Sequence, residues 1–116
     1  MAAQERYNLP DAIFGRTYLA LEFTILKNSV AVDLTGATII LHIENKKAPR
    51  SYDWTTDNGE LEITDDVNGV FQITQKTISI PVGNYGYGIV FYLADNTIFE
   101  YVYGNLNVLD LTPNGG

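Results

Sequence analysis

A chain of 116 residues and 12.9 kDa is the size of one ordinary domain, long enough for a real core and too short for two. An apolar share of 46% suits a folded protein, and eight tyrosines, five phenylalanines and ten glycines favour short strands and turns over helices. A formal net charge of -7 opposes direct contact with nucleic acid or an anionic membrane, and the lack of cysteine excludes disulfides and Cys-ligated zinc.

No apolar run approaches the roughly 20 residues of a membrane span, and residues 1–16 lack the basic-then-apolar order of a signal peptide, so retention in the cytosol is expected. Residues 1–12 have no strong period, and Pro10 disfavours helix just before it. They read as an N-terminal arm, either a disordered tail or an extended segment that docks on a neighbouring subunit through Tyr7 and Leu9. Residues 13–110 read as the folded domain, entered through Ile13 and Phe14, and residues 111–116 as a frayed tail.

From Thr17 to Leu26 apolar and polar positions alternate, with Leu19, Leu21, Phe23 and Ile25 on one face, which predicts a core strand of a half-solvated sheet. A short strand over Val30 to Val32 leads into a corner at Asp33, Thr35 and Gly36, residues with turn chemistry. Thr38 to Glu44 is the next strand, with Ile39, Leu41 and Ile43 facing in and Ile40 and His42 facing out. Lys46 to Glu60, polar and carrying Pro49, Asn58 and Gly59, reads as a loop. The alternation of Leu61 to Thr64 and of Val70 to Thr74 around Asn68-Gly69 predicts a hairpin. Gln75 to Ile80 has room for a helical turn. Tyr85 to Leu93, with Tyr85, Tyr87, Ile89, Phe91 and Leu93 on one face, and Thr97 to Tyr103 predict two long paired strands, with a bulge expected at Gly104. The spacing of seven or eight strands predicts an all-β fold of two packed antiparallel sheets, a β-sandwich.

The search for chemistry yields little. His42 is the sole histidine, placed on an outward face with no Cys to complete a metal site. Asp53, Asp57, Glu60, Asp65 and Asp66 could gather around a hard cation, but their spacing is not that of an EF-hand and turn chemistry explains them equally well. Glu62 with Glu100 is a conceivable carboxylate pair without a cleft to act in. No serine lies in a nucleophile elbow, and Gly83, Gly86 and Gly88 fall in or beside a strand rather than before a helix. The expectation is therefore no enzyme, no catalytic residue, no metal and no cofactor.

Contact surfaces are better signalled. Trp54, beside Tyr52 and Asp53, is either a plug over the core or an anchor for a subunit or a glycan. Both faces of the late hairpin are apolar, so Val90, Tyr92, Phe99, Tyr101 and Tyr103 should leave a tyrosine-rich patch on one of them, and such patches mark protein contacts. A homo-oligomer is expected.

Three stretches carry a family resemblance. Phe14-Gly15-Arg16-Thr17 with the strand Leu21 to Leu26, the corner from Ala31 to Ile39, and the run Asp66 to Ile73 followed by Ile80 to Tyr87 resemble small immunoglobulin-like β-sandwich domains of tailed-phage virions, as in the N-terminal domain of baseplate upper proteins. Gly104 to Leu109 is similar to the closing strand of that family. The resemblance implies a non-enzymatic structural protein, tail- or baseplate-associated, assembled in the host cytoplasm into a virion with other virion proteins as partners. A capsid decoration or head-fibre base protein, and a carbohydrate-binding module using Trp54 and Tyr52, are the alternatives. The chain stops right after the sandwich, unlike multidomain relatives, which argues against a host-receptor fibre and leads to the expectation of a small adaptor, baseplate or decoration subunit.

Overall fold

The computed structural model describes residues 5–45, 47 and 50–110; side chains of residues 5, 6 and 101 lie outside the description, as do residues 1–4 of the expected arm and the expected tail 111–116. The described chain is all-β. Its strands are β1 (Glu5–Arg6), β2 (Ala12–Ile13), β3 (Thr17–Tyr18), β4 (Leu21–Thr24), β5 (Leu26–Lys27), β6 (Val30–Ala31), β7 (Thr38–Asn45), β8 (Ser51–Thr55), β9 (Leu61–Asp65), β10 (Val70–Ile73), β11 (Lys76–Thr77), β12 (Gly83–Tyr92) and β13 (Ile98–Leu109). The large sheet runs β1-β13-β12-β7-β8, with β2 also on β13; a small sheet runs β4-β10-β9, and β3 with β11 and β5 with β6 form two ribbons.

Strands β7 and β12 are the centre of the large sheet because their alternation is strict. Ile39, Leu41, Ile43, Ile89 and Phe91 are all fully buried, and Tyr85 is nearly so. The two sheets meet through aromatic rings. Tyr7 stands edge-on to Phe23 at 5.8 Å, Phe23 stacks on Phe71 at 5.1 Å, Phe71 meets Phe91 edge-on at 5.6 Å, and Phe91 stacks on Phe99 at 5.0 Å. Offset-stacked and edge-to-face pairs of this kind add to the burial of large apolar area.

The corner behaves as its residues dictate. Thr35 donates to Asp33 Oδ1 from its backbone N–H at 2.9 Å and its hydroxyl at 2.6 Å, and the Ala37 N–H donates to the Leu34 carbonyl at 2.9 Å. Gly36 supplies the left-handed residue at φ 73°, which other side chains adopt only at a cost. The hydrogen bonds from Thr35 hold the Asp33 carboxyl below its ordinary value. Leu34 is thereby driven fully into the core.

Several expectations are corrected. The strand expected from Thr17 to Leu26 is interrupted at residues 19–20: Thr17–Tyr18 pairs with Lys76–Thr77, whereas Leu21–Thr24 pairs with Val70–Ile73. The break puts Tyr18 inside and leaves Leu19 71% exposed. Residues 75–80 hold strand β11 and no helical turn. The region expected to be a loop contains β8, paired along β7 from Ile40↔Thr55 to Glu44↔Ser51. The expected hairpin over β9 and β10 is present, with a register shift between Val70 and Phe71.

The arm also differs from expectation. Residues 5–13 run parallel to β13 of the same chain, pairing Glu5↔Val102, Arg6↔Tyr103, Val108↔Ala12 and Leu109↔Ile13. Between those pairs, the Tyr7 N–H donates to the Tyr103 carbonyl at 2.8 Å and the Leu9 N–H to the Asn105 carbonyl at 3.0 Å. Leu9 and Ala12 are consequently buried in the chain's own core. Two phenols anchor the arm from beneath, with the Tyr18 hydroxyl donating to the Pro10 carbonyl at 2.7 Å and the Tyr87 hydroxyl donating to the Tyr7 carbonyl. Burial pushes both phenols well above their ordinary value, so both stay protonated donors at neutral pH.

Candidate functional site

The outer face of the large sheet is the surface on which the late hairpin displays side chains, and its pattern follows from one irregularity. Pairing is Ile89↔Val102 and then Val90↔Glu100, so Tyr101 is an extra residue in β13. A bulge of this kind reverses which side chains face the core beyond it. Val102 and Phe99 therefore both point inward, Phe99 onto Phe91, while Ile98 is turned out and is 62% exposed. The bulge expected at Gly104 is absent from this pairing; Gly104 is instead where the arm crosses closest to the sheet.

Near the turn at residues 93–97, neighbouring outward positions are apolar. Tyr92 pairs with Ile98 on one side and Thr38 on the other, and Val90 pairs with Ile40. Ile40, Val90, Tyr92 and Ile98 thus form one patch, with Tyr92 38% exposed. Farther along, the same face changes character. Gly88 lies between Tyr103 and His42, Gly86 between Asn105 and Glu44, and Asn84 beside Asn107. A hollow of about 320 Å³ lies beside the two glycines, bordered by His42, Glu44 and Glu100, whose carboxylate rests over Gly88. A second, of about 530 Å³, is bordered by Asn8, Asp11, Asn84, Asn105 and Asn107.

His42 is exposed on this face, as its alternation requires, and its Nδ1 lies 2.6 Å from Asp53 Oδ1 of β8. The acidic residues considered for a cation do not converge. Asp53 engages His42, Asp65 accepts from Asn68 at 2.9 Å, and Asp66 accepts from the Val67 N–H at 2.7 Å. Among the described residues no three His, Asp or Glu side chains are grouped to hold a metal ion. Glu62 accepts a hydrogen bond from Gln72 Nε2 at 2.9 Å on the small sheet, whereas Glu100 belongs to β13 of the large sheet. No helix of the described chain is long and apolar enough to cross a membrane.

Of the residues expected at contacts, the structure brings Val90 and Tyr92 together and places Tyr103 outward beside the glycines, 38% exposed. The Tyr101 side chain lies outside the described residues. Tyr7 is 42% exposed, but its backbone is tied to β13 and its ring to Phe23. Leu9 and Phe99 are turned to the core, which removes them from the surface. Trp54 takes the plug role: it is 5% exposed, 6.4 Å from the Tyr18 ring, with Lys76 Nζ 4.3 Å above its indole. Lys76 also donates to the Glu60 carbonyl at 2.8 Å and pairs with Glu60 Oε1 at 3.1 Å. Burial lowers its ammonium's pKa, and the contacts with Glu60 oppose that.

Ile40, Ile98 and the Asn84, Gly86, Gly88, Asn105, Asn107 group were not singled out by sequence reasoning. The signal was nonetheless readable, because glycine and asparagine are depleted in strand interiors and here occupy adjacent positions of a long hairpin. No family model matches the sequence, and no curated protein matches it.

Proposed function

We propose that this protein is a non-enzymatic structural subunit of a tailed-phage virion, tail- or baseplate-associated, which works through contacts with other virion proteins and with further copies of itself. The observation that carries the reading is the patch of Ile40, Val90, Tyr92 and Ile98 on the outer face of the large sheet. Apolar side chains contiguous on an otherwise polar sheet face cost solubility and give binding area, and aromatic residues are enriched in such contacts. The resemblance of the corner and of the run Asp66 to Tyr87 to virion sandwich domains supplies the setting.

The experiment is co-production of the chain with the products of its flanking genes, followed by size-exclusion with light scattering. A discrete complex with a tail or baseplate protein is expected. Ile98→Asp should abolish it while leaving the thermal midpoint of the isolated chain nearly unchanged, since Ile98 is largely solvated already. A chain that stays alone with every tail protein, or a complex indifferent to Ile98→Asp, would count against the reading; capture by assembled capsids would favour decoration.

A further inference from the structure

The second half of the outer face asks for a different ligand. Along β12 the outward positions are Asn84, Gly86 and Gly88, and their partners on β13 are Asn107, Asn105 and Tyr103. Strand interiors favour β-branched and aromatic residues, and a sheet whose exposed centre is built from glycine and asparagine forgoes that stabilisation. Local choices that work against the fold are expected where a surface is used. Gly86 lowers the floor of β12 into a trough, with Asn105 and Asn107 as one bank and Glu44 as the other, and the Glu100 carboxylate lies over Gly88 and closes its end beside Tyr103 and His42. From residue 84 to residue 88 this trough is about 14 Å long at the rise of an extended strand.

We infer that the trough binds a neutral oligosaccharide. The reasoning rests on this face alone and stands apart from the virion reading. Side-chain amides offer donors and an acceptor in one plane, and a carboxylate offers acceptors, so Asn84, Asn105, Asn107 and Glu44 suit hydroxyl groups that both give and take hydrogen bonds. Tyr103, 38% exposed at the end where the Glu100 carboxylate lies over Gly88, presents ring area to the apolar side of a sugar. Glu44, Asp53 and Asp11 around the trough, on a chain of net charge -7, repel anionic sugars. A peptide strand is a poorer occupant, because β12 is flanked on both sides by β7 and β13 and offers no open edge for backbone pairing. The carbohydrate role considered for Trp54 is thus relocated to a face that Trp54 does not share.

The test presents the full chain to an array of neutral and anionic oligosaccharides, then titrates the best neutral oligomer while following backbone amides by NMR. Binding confined to neutral glycans is expected, with the largest shifts at residues 84–88 and 103–107. Asn105→Ala combined with Asn107→Ala should weaken binding about tenfold or more. Gly86→Val, which fills the trough between Asn105 and Glu44, should abolish it, and circular dichroism of both variants checks that they fold. Ile98→Asp should leave the titration unchanged, so this inference and the subunit-contact reading fail independently. Silence towards all neutral glycans, preference for anionic ones, shifts confined elsewhere, or full binding by the folded Gly86→Val variant would overturn the inference.

Discussion

Replacing Phe91 with alanine is expected to cost about 3–5 kcal/mol, the range for emptying a large aromatic site in a core. Phe91 is fully buried at the point where the sheets meet, between Phe71 of the small sheet and Phe99 of the neighbouring strand. Neither neighbour can collapse into the space easily, because each ring is held by a further contact or by strand pairing. Domains of this size are stable by only about 5–15 kcal/mol, so the variant should lie near the edge of folding at physiological temperature. Urea unfolding followed by fluorescence of Trp54 reads the loss. Leu19→Ala is the matched control, expected within about 0.5 kcal/mol of the parent because Leu19 is solvated. A Phe91 variant that lost less than about 1 kcal/mol would contradict the packing described.

The second large effect is expected at Gly104. A Cβ placed there would lie 2.7 Å from the Tyr7 carbonyl carbon and 3.1 Å from the Tyr87 ring. The first contact is with backbone, which cannot swing aside as a side-chain tip can. Gly104→Ala should therefore lift the arm from β13, breaking the pairing at Tyr7 and the hydrogen bond from Tyr87, and exposing Leu9. Burial of one leucine contributes about 1.5–3 kcal/mol, and the severed backbone bonds add to that, so a loss of about 3 kcal/mol is expected. Hydrogen exchange locates the damage: amides of residues 7–14 should lose protection while β7 and β10 keep theirs. Uniform protection in the variant would mean that the arm is not seated as described.

Much of this architecture was legible in the residues, and the exceptions have physical causes. Strict alternation in Ile39, Leu41 and Ile43 and in Tyr85 to Phe91 can be satisfied by only one strand register, and those positions are buried. Leu19 defied the same logic because the chain changes partner strand at residues 19–20, a non-local event that no period reveals. Phe99 and Ile98 exchanged faces because one extra residue, Tyr101, sits in β13. Strand β8 was hidden by its polar residues, although Tyr52 and Trp54 alternate with Ser51, Asp53 and Thr55 as an edge strand should. The arm's place was invisible for another reason: its parallel pairing joins residues nearly a hundred positions apart.

The candidate site was legible only in part. Val90 and Tyr92 could be read as an unsatisfied apolar face, but their companions Ile40 and Ile98 come from pairing and from the bulge, not from the hairpin's own sequence. Trp54 drew attention as the sole tryptophan, and burial beneath Lys76 took it out of contention. Conversely, Gly86 and Gly88 were read only as strand glycines that do not precede a helix, and Asn105 and Asn107 drew no reading, because their shared face arises only when β12 pairs with β13.

The claim that the outer face of the large sheet is the working surface is tested most directly by hydroxyl-radical footprinting with mass spectrometry, comparing the isolated chain with the same chain in its assembled complex. Tyr92 and Ile98 should become protected on assembly, while Leu19 and Val67, exposed elsewhere, keep their reactivity. Unchanged labelling of Tyr92 and Ile98, with protection appearing at Leu19 or Val67 instead, would contradict it.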